Sequence, residues 1–150
     1  DFSLAKEMSL NNLYVRLLKP EELLESGASA QRWDAVDLRK KNASVRRGHA
    51  RWTMASDTML YGFALWWECV LLPGITLSTS PRAASSHWEQ LYCPVREPIH
   101  ARTGDELSIT LTSDSRFETG ASVKWDISLE SKTSGTLLQQ SLDMKHGDSG

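Results

Sequence analysis

Apolar and polar residues alternate with period two over much of the second half of the chain. Leu107, Ile109 and Leu111 are interleaved with Ser108, Thr110 and Thr112, and Val123, Trp125, Ile127 and Leu129 with Lys124, Asp126, Ser128 and Glu130. Successive side chains of a strand point to opposite faces, so each run predicts a strand with one core face and one wet face. The stretch Phe63-Ala64-Leu65-Trp66-Trp67-Glu68-Cys69-Val70-Leu71 is apolar at nearly every position, the pattern expected of a central strand covered on both faces. Turn residues punctuate these runs at Pro73-Gly74, Thr103-Gly104-Asp105 and Ser134-Gly135, and residues 114–120 are expected to form an irregular loop. Upstream, Leu13-Tyr14-Val15-Arg16-Leu17-Leu18 reads as a short strand. Pro20, the acidic run Glu21-Glu22-Leu23-Leu24-Glu25 and a terminating Gly27 predict one short helix. The fold class that follows is all-β: an antiparallel β-barrel-like domain with one short helix near the N-terminus. Its expected core contains Phe63, Leu65, Trp67, Ile109, Leu111, Trp125 and Ile127.

Composition narrows the function classes. The 150 residues suit one domain, and 40% hydrophobic against 24% charged residues suffice for a core. Seventeen Lys and Arg against nineteen Asp and Glu leave a net charge of −2, which argues against a nucleic-acid footprint. The first 56 residues are mildly basic and the remainder acidic. The crowd of Arg39, Lys40, Lys41, Arg46, Arg47 and Arg51 lacks interleaved aromatics and reads as a solvated rim. The longest apolar-rich stretch, 59–72, is broken by Tyr61, Gly62 and Glu68, so no membrane contact is expected. Cys69 and Cys93 have no zinc spacing and are expected as buried, reduced thiols, in keeping with a cytoplasmic or, in a eukaryote, nuclear location. The opening Asp1-Phe2-Ser3-Leu4-Ala5-Lys6 resembles a cut into a longer polypeptide.

Candidate chemistry is sparse. The nine glycines form neither a dinucleotide-binding fingerprint nor a phosphate loop, so this chain is expected to bind no cofactor. His49, His87, His100 and His146 share no ligand spacing, so no metal is expected, and Ser85-Ser86-His87 lacks the strand-to-helix elbow of a serine nucleophile. The informative stretch is Ile75-Thr76-Leu77-Ser78-Thr79-Ser80-Pro81, followed after four residues by Ser86-His87-Trp88-Glu89-Gln90. Here a strand enters a Pro-stopped loop that carries an imidazole beside an indole. The residues alone allow either a packed loop or a functional one.

Tyr61-Gly62-Phe63-Ala64, Trp66-Trp67, Leu77-Ser78-Thr79-Ser80-Pro81, Ser86-His87-Trp88-Glu89-Gln90, Glu97-Pro98-Ile99 and Thr103-Gly104-Asp105-Glu106-Leu107 occur in this order and resemble the C-terminal β-barrel, the substrate-binding domain, of the protein arginine methyltransferases. In that family a Leu-Ser-Thr-Ser-Pro strand end leads to a Thr-His-Trp loop at the mouth of the arginine channel. The resemblance therefore makes Ser86, His87 and Trp88 the active-site loop, with Ser in place of Thr, and Ser78, Thr79, Ser80 and Pro81 its support. Weaker similarity at Lys19-Pro20-Glu21-Glu22-Leu23 and Leu4-Ala5-Lys6-Glu7 resembles the return from the family's dimerisation arm. It divides the chain into an arm remnant at 1–12, a substrate-binding barrel at 13–145 and a disordered tail at 146–150. The family's cofactor-binding Rossmann half and its paired glutamates have no counterpart here.

The resemblance implies the C-terminal fragment of an S-adenosylmethionine-dependent protein arginine N-methyltransferase, inactive alone, which completes the substrate groove and the dimer. Its implied partners are the methyltransferase domain, an arginine-containing protein substrate and a second copy in a homo-oligomer. The cofactor S-adenosylmethionine belongs to the full enzyme. The alternative is a free-standing carbohydrate- or peptide-binding β-sandwich that uses exposed tryptophans among Trp33, Trp52, Trp66, Trp67, Trp88 and Trp125 as stacking platforms. Against it, most of these tryptophans fall on expected core faces.

Overall fold

The computed structural model describes residues 2–84, 86–118 and 120–147. In chain order the main elements are helix α1 (Ser3–Leu10) and strands β1 (Tyr14–Arg16), β2 (Val45–Thr53), β3 (Thr58–Leu65), β4 (Glu68–Leu72), β5 (Ile75–Ser78), β6 (Gln90–Ala101), β7 (Glu106–Phe117), β8 (Gly120–Ser131) and β9 (Gly135–Asp143). They form sheets of order β1-β6-β3, β2-β7-β8-β9 and β4-β5. The chain divides into two compact units, one of Asp1–Asn12, Gln31–Tyr61 and Val95–Gly150, the other of Leu13–Ala30 and Gly62–Pro94. Among the described residues the fold is all-β, as the alternation predicts, with one α-helix near the N-terminus.

The first unit is built on the four-stranded antiparallel sheet. Pairing of Leu107 with Leu129, Ile109 with Ile127 and Leu111 with Trp125 puts all six on one face, and Leu142 lies opposite Trp125 on β9. Each is buried, Trp125 completely. The other face carries Ser108, Thr110, Asp126 and Ser128, the wet partners of the same alternation. At the β2 edge Gln31 stands in for a further strand: its amide donates to the Arg51 carbonyl, and the Arg51 N–H donates to Gln31 Oε1 at 3.1 Å. Next to it the Trp33 carbonyl lies where a Cβ on Gly48 would be, 1.7 Å away, so only glycine fits at position 48. The same segment is pinned by Arg46, whose guanidinium donates to both Asp34 carboxylate oxygens at 2.6 Å.

The helix lies elsewhere than the acidic run suggested. Residues 20–27 form two 3₁₀ turns, Pro20–Glu22 and Leu24–Gly27, separated by an extended Leu23 and closed by left-handed Glu25, Ser26 and Gly27. The extended Leu23 and the left-handed Glu25 and Ser26 break any right-handed helix begun at Pro20. In α1, Asn11 holds the C-terminal end. Its Nδ2 donates to the Glu7 carbonyl at 2.8 Å and its Oδ1 accepts from the Asp143 N–H at 2.7 Å, while Glu7 pairs with Arg96.

The expected loop at 114–120 is reduced to a break in register between Asp114 and Phe117, and residue 119 lies outside the described residues. β7 continues to Phe117 and β8 starts at Gly120, because Asp114 satisfies its polar demand locally, accepting from Arg116 Nε and Nη2 at 2.8 and 2.7 Å. Of the expected tail, residues 148–150 lie outside the described residues, and His146 ends the 3₁₀ turn Met144–His146.

In the second unit β1 pairs with the start of β6, Tyr14 facing Tyr92 and Arg16 facing Gln90. The apolar run from Phe63 is not a central strand. It breaks at Trp66-Trp67 into β3 and β4, and β4 pairs with β5 in a two-stranded ribbon. Phe63 and Leu65 are half-buried, Trp67 is 43% exposed, and Val70, Leu71, Leu72 and Ile75 lie open on the ribbon. The ribbon is covered only in part, the facing pair Cys69 and Leu77 being half-buried, so the unbroken apolar run here does not report enclosure on both faces. Trp33, Trp52 and Trp66 are likewise only half-buried, leaving Trp125 as the one tryptophan of the six that is fully buried. Both cysteines are free thiols. Cys93 is buried, and burial pushes its thiol up to about 12, whereas Cys69 on the ribbon is half-buried.

Candidate functional site

The loop that follows β5 lies wholly in the second unit. Its entry is a turn of hydroxyls: the Ser80 N–H donates to Ser78 Oγ at 3.2 Å, the Arg82 N–H to Ser80 Oγ at 3.2 Å, and the Ala83 N–H to the Ser80 carbonyl at 2.9 Å. Pro81 occupies the position whose fixed φ favours such a turn. Thr79 turns inward and is buried. Its N–H donates to the Trp67 carbonyl at 3.0 Å, and the Trp67 N–H donates to Thr79 Oγ1 at 3.1 Å. The break in the apolar run and the start of the loop are therefore one joint.

On the returning side the Ser86 hydroxyl folds onto the main chain of Trp88, accepting from its N–H at 3.3 Å and donating to its carbonyl at 3.4 Å. This needs a hydroxyl and no methyl, which is why Ser serves where the resembling motif has Thr. It also engages Ser86 away from the His87 ring, unlike a nucleophile–base pair. His87 is exposed and lies against the Trp88 indole with ring centroids 4.1 Å apart and planes at 35°. Trp88, 42% exposed, meets Trp67 edge to face at 5.6 Å. An imidazole is thus held at the surface by a tryptophan that a second tryptophan steadies.

The structure brings Ser86, His87 and Trp88 together, and Ser78, Thr79, Ser80 and Pro81 form the loop entry. Sequence reasoning missed two contributors. Trp67 was expected in the core, and Gln90 was noted only as part of a motif. Gln90 is buried and donates through Nε2 to the Thr79 carbonyl at 2.8 Å. A polar amide opening an apolar strand, immediately after the loop, was the available signal.

A different concavity, of about 360 Å³, lies on the polar face of the four-stranded sheet and is lined by residues that include Ser108, Thr110, Asp126, Ser128, Gln139 and Ser141. It contains none of the loop residues. Among the described residues no three His, Cys, Asp or Glu side chains cluster as metal ligands. None of their helices is long and apolar enough to cross a membrane.

Residues 3–141 match the family described as the PRMT5 oligomerisation domain. The chain belongs to that family. Among curated relatives, protein arginine N-methyltransferase 6 of Xenopus laevis is 29% identical over 110 residues, covering 71% of this chain and 31% of the relative. Human protein arginine N-methyltransferase 2 is 26% identical over 106 residues, covering 67% and 24%. This chain therefore spans about a third or less of the length of these relatives. A solved complex, the Trypanosoma brucei PRMT1 enzyme–prozyme heterotetramer with AdoHcy, superposes with a TM-score of 0.66 at 13% identity, over 96% of this chain and 47% of that one. That likeness establishes the shared fold. The chain is a C-terminal domain of the protein arginine methyltransferase type.

Proposed function

We propose that this chain is the non-catalytic C-terminal part of an S-adenosylmethionine-dependent protein arginine N-methyltransferase. It completes the substrate groove beside a methyltransferase domain and takes part in pairing protomers. The carrying observation is the surface imidazole of His87, fixed by Trp88 and the Ser86 hydroxyl in the loop where the family resemblance places the arginine channel. Family membership and the relatives' names support the chemistry, and the family's description supports oligomer formation.

The described residues do not fit the cofactor. An S-adenosylmethionine cradle of the Rossmann type needs backbone amides in a glycine-rich strand–turn–helix, whereas no strand among the described residues leads into an α-helix and the nine glycines form no such fingerprint. The cofactor belongs to the methyltransferase domain. What this chain supplies is placement. Facing a carboxylate of that domain, the His87 imidazole orients it as a hydrogen-bond donor without itself being the base. The acidic second half of the chain complements an arginine-rich protein substrate, a modest effect at physiological salt. The enzyme is cytoplasmic, or nuclear in a eukaryote.

The test is His87→Ala in the complete enzyme. Turnover falls by roughly tenfold or more, less than the ~10²–10⁴-fold of a group that itself transfers the proton, while the melting temperature of this chain stays unchanged because His87 is exposed. Unchanged turnover ends this reading. A melting temperature that drops together with activity assigns His87 a structural role instead.

A further inference from the structure

The loop between β5 and β6 is closed at its base by one side chain. Gln90, 4% exposed, accepts from the Leu18 N–H at 2.9 Å through Oε1 and donates to the Thr79 carbonyl at 2.8 Å through Nε2. Thr79, 2% exposed, is in turn bonded to both backbone groups of Trp67, donating its N–H to the carbonyl and accepting the N–H at its hydroxyl, and the Trp67 ring meets Trp88. Starting from Trp88, the chain of contacts runs through Trp67, Thr79 and Gln90 and returns to the loop two residues after Trp88. The ends of the loop are joined there by an amide whose donor and acceptor are both used on main-chain groups. A buried amide satisfied on both sides has one orientation, and its removal leaves two buried backbone groups without partners.

A second brace comes from the segment that also supplies Leu18. Glu25, Ser26 and Gly27 are consecutively left-handed, with φ of 49°, 52° and 80°. For residues with side chains that conformation is strained, and it persists where surrounding structure dictates it. The turn brings buried Gly27 under the loop: a Cβ there would lie 3.2 Å from Arg82 Cδ and 3.1 Å from Leu23 Cδ1. Glycine is needed for the backbone angle, and a Cβ would also press on these two side chains.

The geometry points to Gln90 as the positioning residue of the His87 loop, clamping its two ends to each other and to Leu18, with the left-handed turn at 25–27 bracing Arg82. This rests on the proposed function only in giving the loop a role. The clamp itself is a property of the second unit.

The test is Gln90→Met, which keeps side-chain length and removes both bonds, read by amide hydrogen exchange on this chain and by turnover of the complete enzyme. Exchange at residues 82–84 and 86–89 rises roughly tenfold or more, the scale of losing buried hydrogen bonds. Exchange at Ile109 and Ile127 in the four-stranded sheet does not change. Turnover per folded enzyme, with the folded fraction measured alongside, falls in kcat with the KM for cofactor unaltered, whereas general destabilisation lowers activity only in proportion to the folded fraction. Arg82→Ala, at an exposed residue with little folding risk, gives a smaller rise at the same amides and serves if the Gln90 variant fails to fold. Loop exchange that stays at the parent rate, or a rise spread evenly over all strands, overturns the clamp. Loosened loop amides alongside a His87→Ala enzyme of full activity uphold the clamp and sink the proposed function. Unchanged loop amides alongside a slowed His87→Ala enzyme do the reverse.

Discussion

Gly48→Ala is a severe perturbation for a single methyl. The added Cβ falls 1.7 Å from the Trp33 carbonyl oxygen and 2.7 Å from its carbon, both backbone atoms that no rotamer change can move aside. To reach even 3.0 Å the two must separate by 3.0 − 1.7 = 1.3 Å. Gly48 sits within β2, held to β7 opposite Leu111, so the covering segment moves rather than the sheet. That movement strains the contacts of Gln31 with Arg51 and the pair Asp34–Arg46, whose side chains are about four-fifths buried. At about 1 kcal/mol for each neutral hydrogen bond and up to ~2 for the charged pair, against ~0.5–1 regained from the lower chain entropy of alanine, the net loss is about 2–3 kcal/mol. For a chain of this length that corresponds to a melting temperature lower by roughly 5–10 °C. Calorimetry measures it, and hydrogen exchange shows β2 amides opening first. As the cover lifts, the bare β2 edge favours association at high protein concentration. A variant melting within ~2 °C of the parent refutes the close approach.

Legibility from sequence followed the layers. Where a sheet has one wet face and one covered face, as at β7 and β8, alternation named the buried residues correctly: Ile109, Leu111, Trp125 and Ile127. It failed where no alternation exists. The run 63–71 offers apolar residues at nearly every position, and nothing in it distinguishes a strand enclosed on both faces from a partly covered two-stranded ribbon. The difference lies in Thr79, twelve residues past Trp67, which takes that residue's backbone bonds. At the site, Ser86, His87 and Trp88 were legible because they are contiguous and chemically unusual. Trp67 and Gln90 were not, since their roles depend on partners at sequence distances of 11 to 72 residues that local pattern does not carry. The helix at 3–10 was hidden for a related reason. It has no buried residue, and polar ties from Asn11 and Glu7 to distant strands hold it.

Trp125→Ala removes a side chain with no exposed surface and should cost about 3–5 kcal/mol. In denaturant melts the midpoint falls with an unchanged slope, and a midpoint equal to the parent's contradicts the core assignment. The acid limb of stability is set by carboxylates held below their ordinary range. The Arg116 guanidinium, with its own N–H, holds Asp114 down at about 2 against an ordinary 3.8, Arg46 lowers Asp34, Arg96 lowers Glu7, and the Thr103 N–H and hydroxyl lower Asp57. A group whose folded pKa is depressed binds its proton more readily when unfolded, so its contribution is complete above the unfolded pKa and disappears as pH falls through the folded one. For Asp114 the window runs from about 3.8 down to about 2. Stability is therefore expected to be flat from neutral pH to about 5 and to fall steadily below 4. Asp114→Asn lowers the plateau and flattens part of that fall, since its amide cannot accept the paired guanidinium bonds as a carboxylate does. Melting temperatures of parent and variant from pH 2 to 7 decide it: the two curves must converge toward pH 2, and curves that stay parallel down to that pH would show that Asp114 is not held by Arg116 in solution.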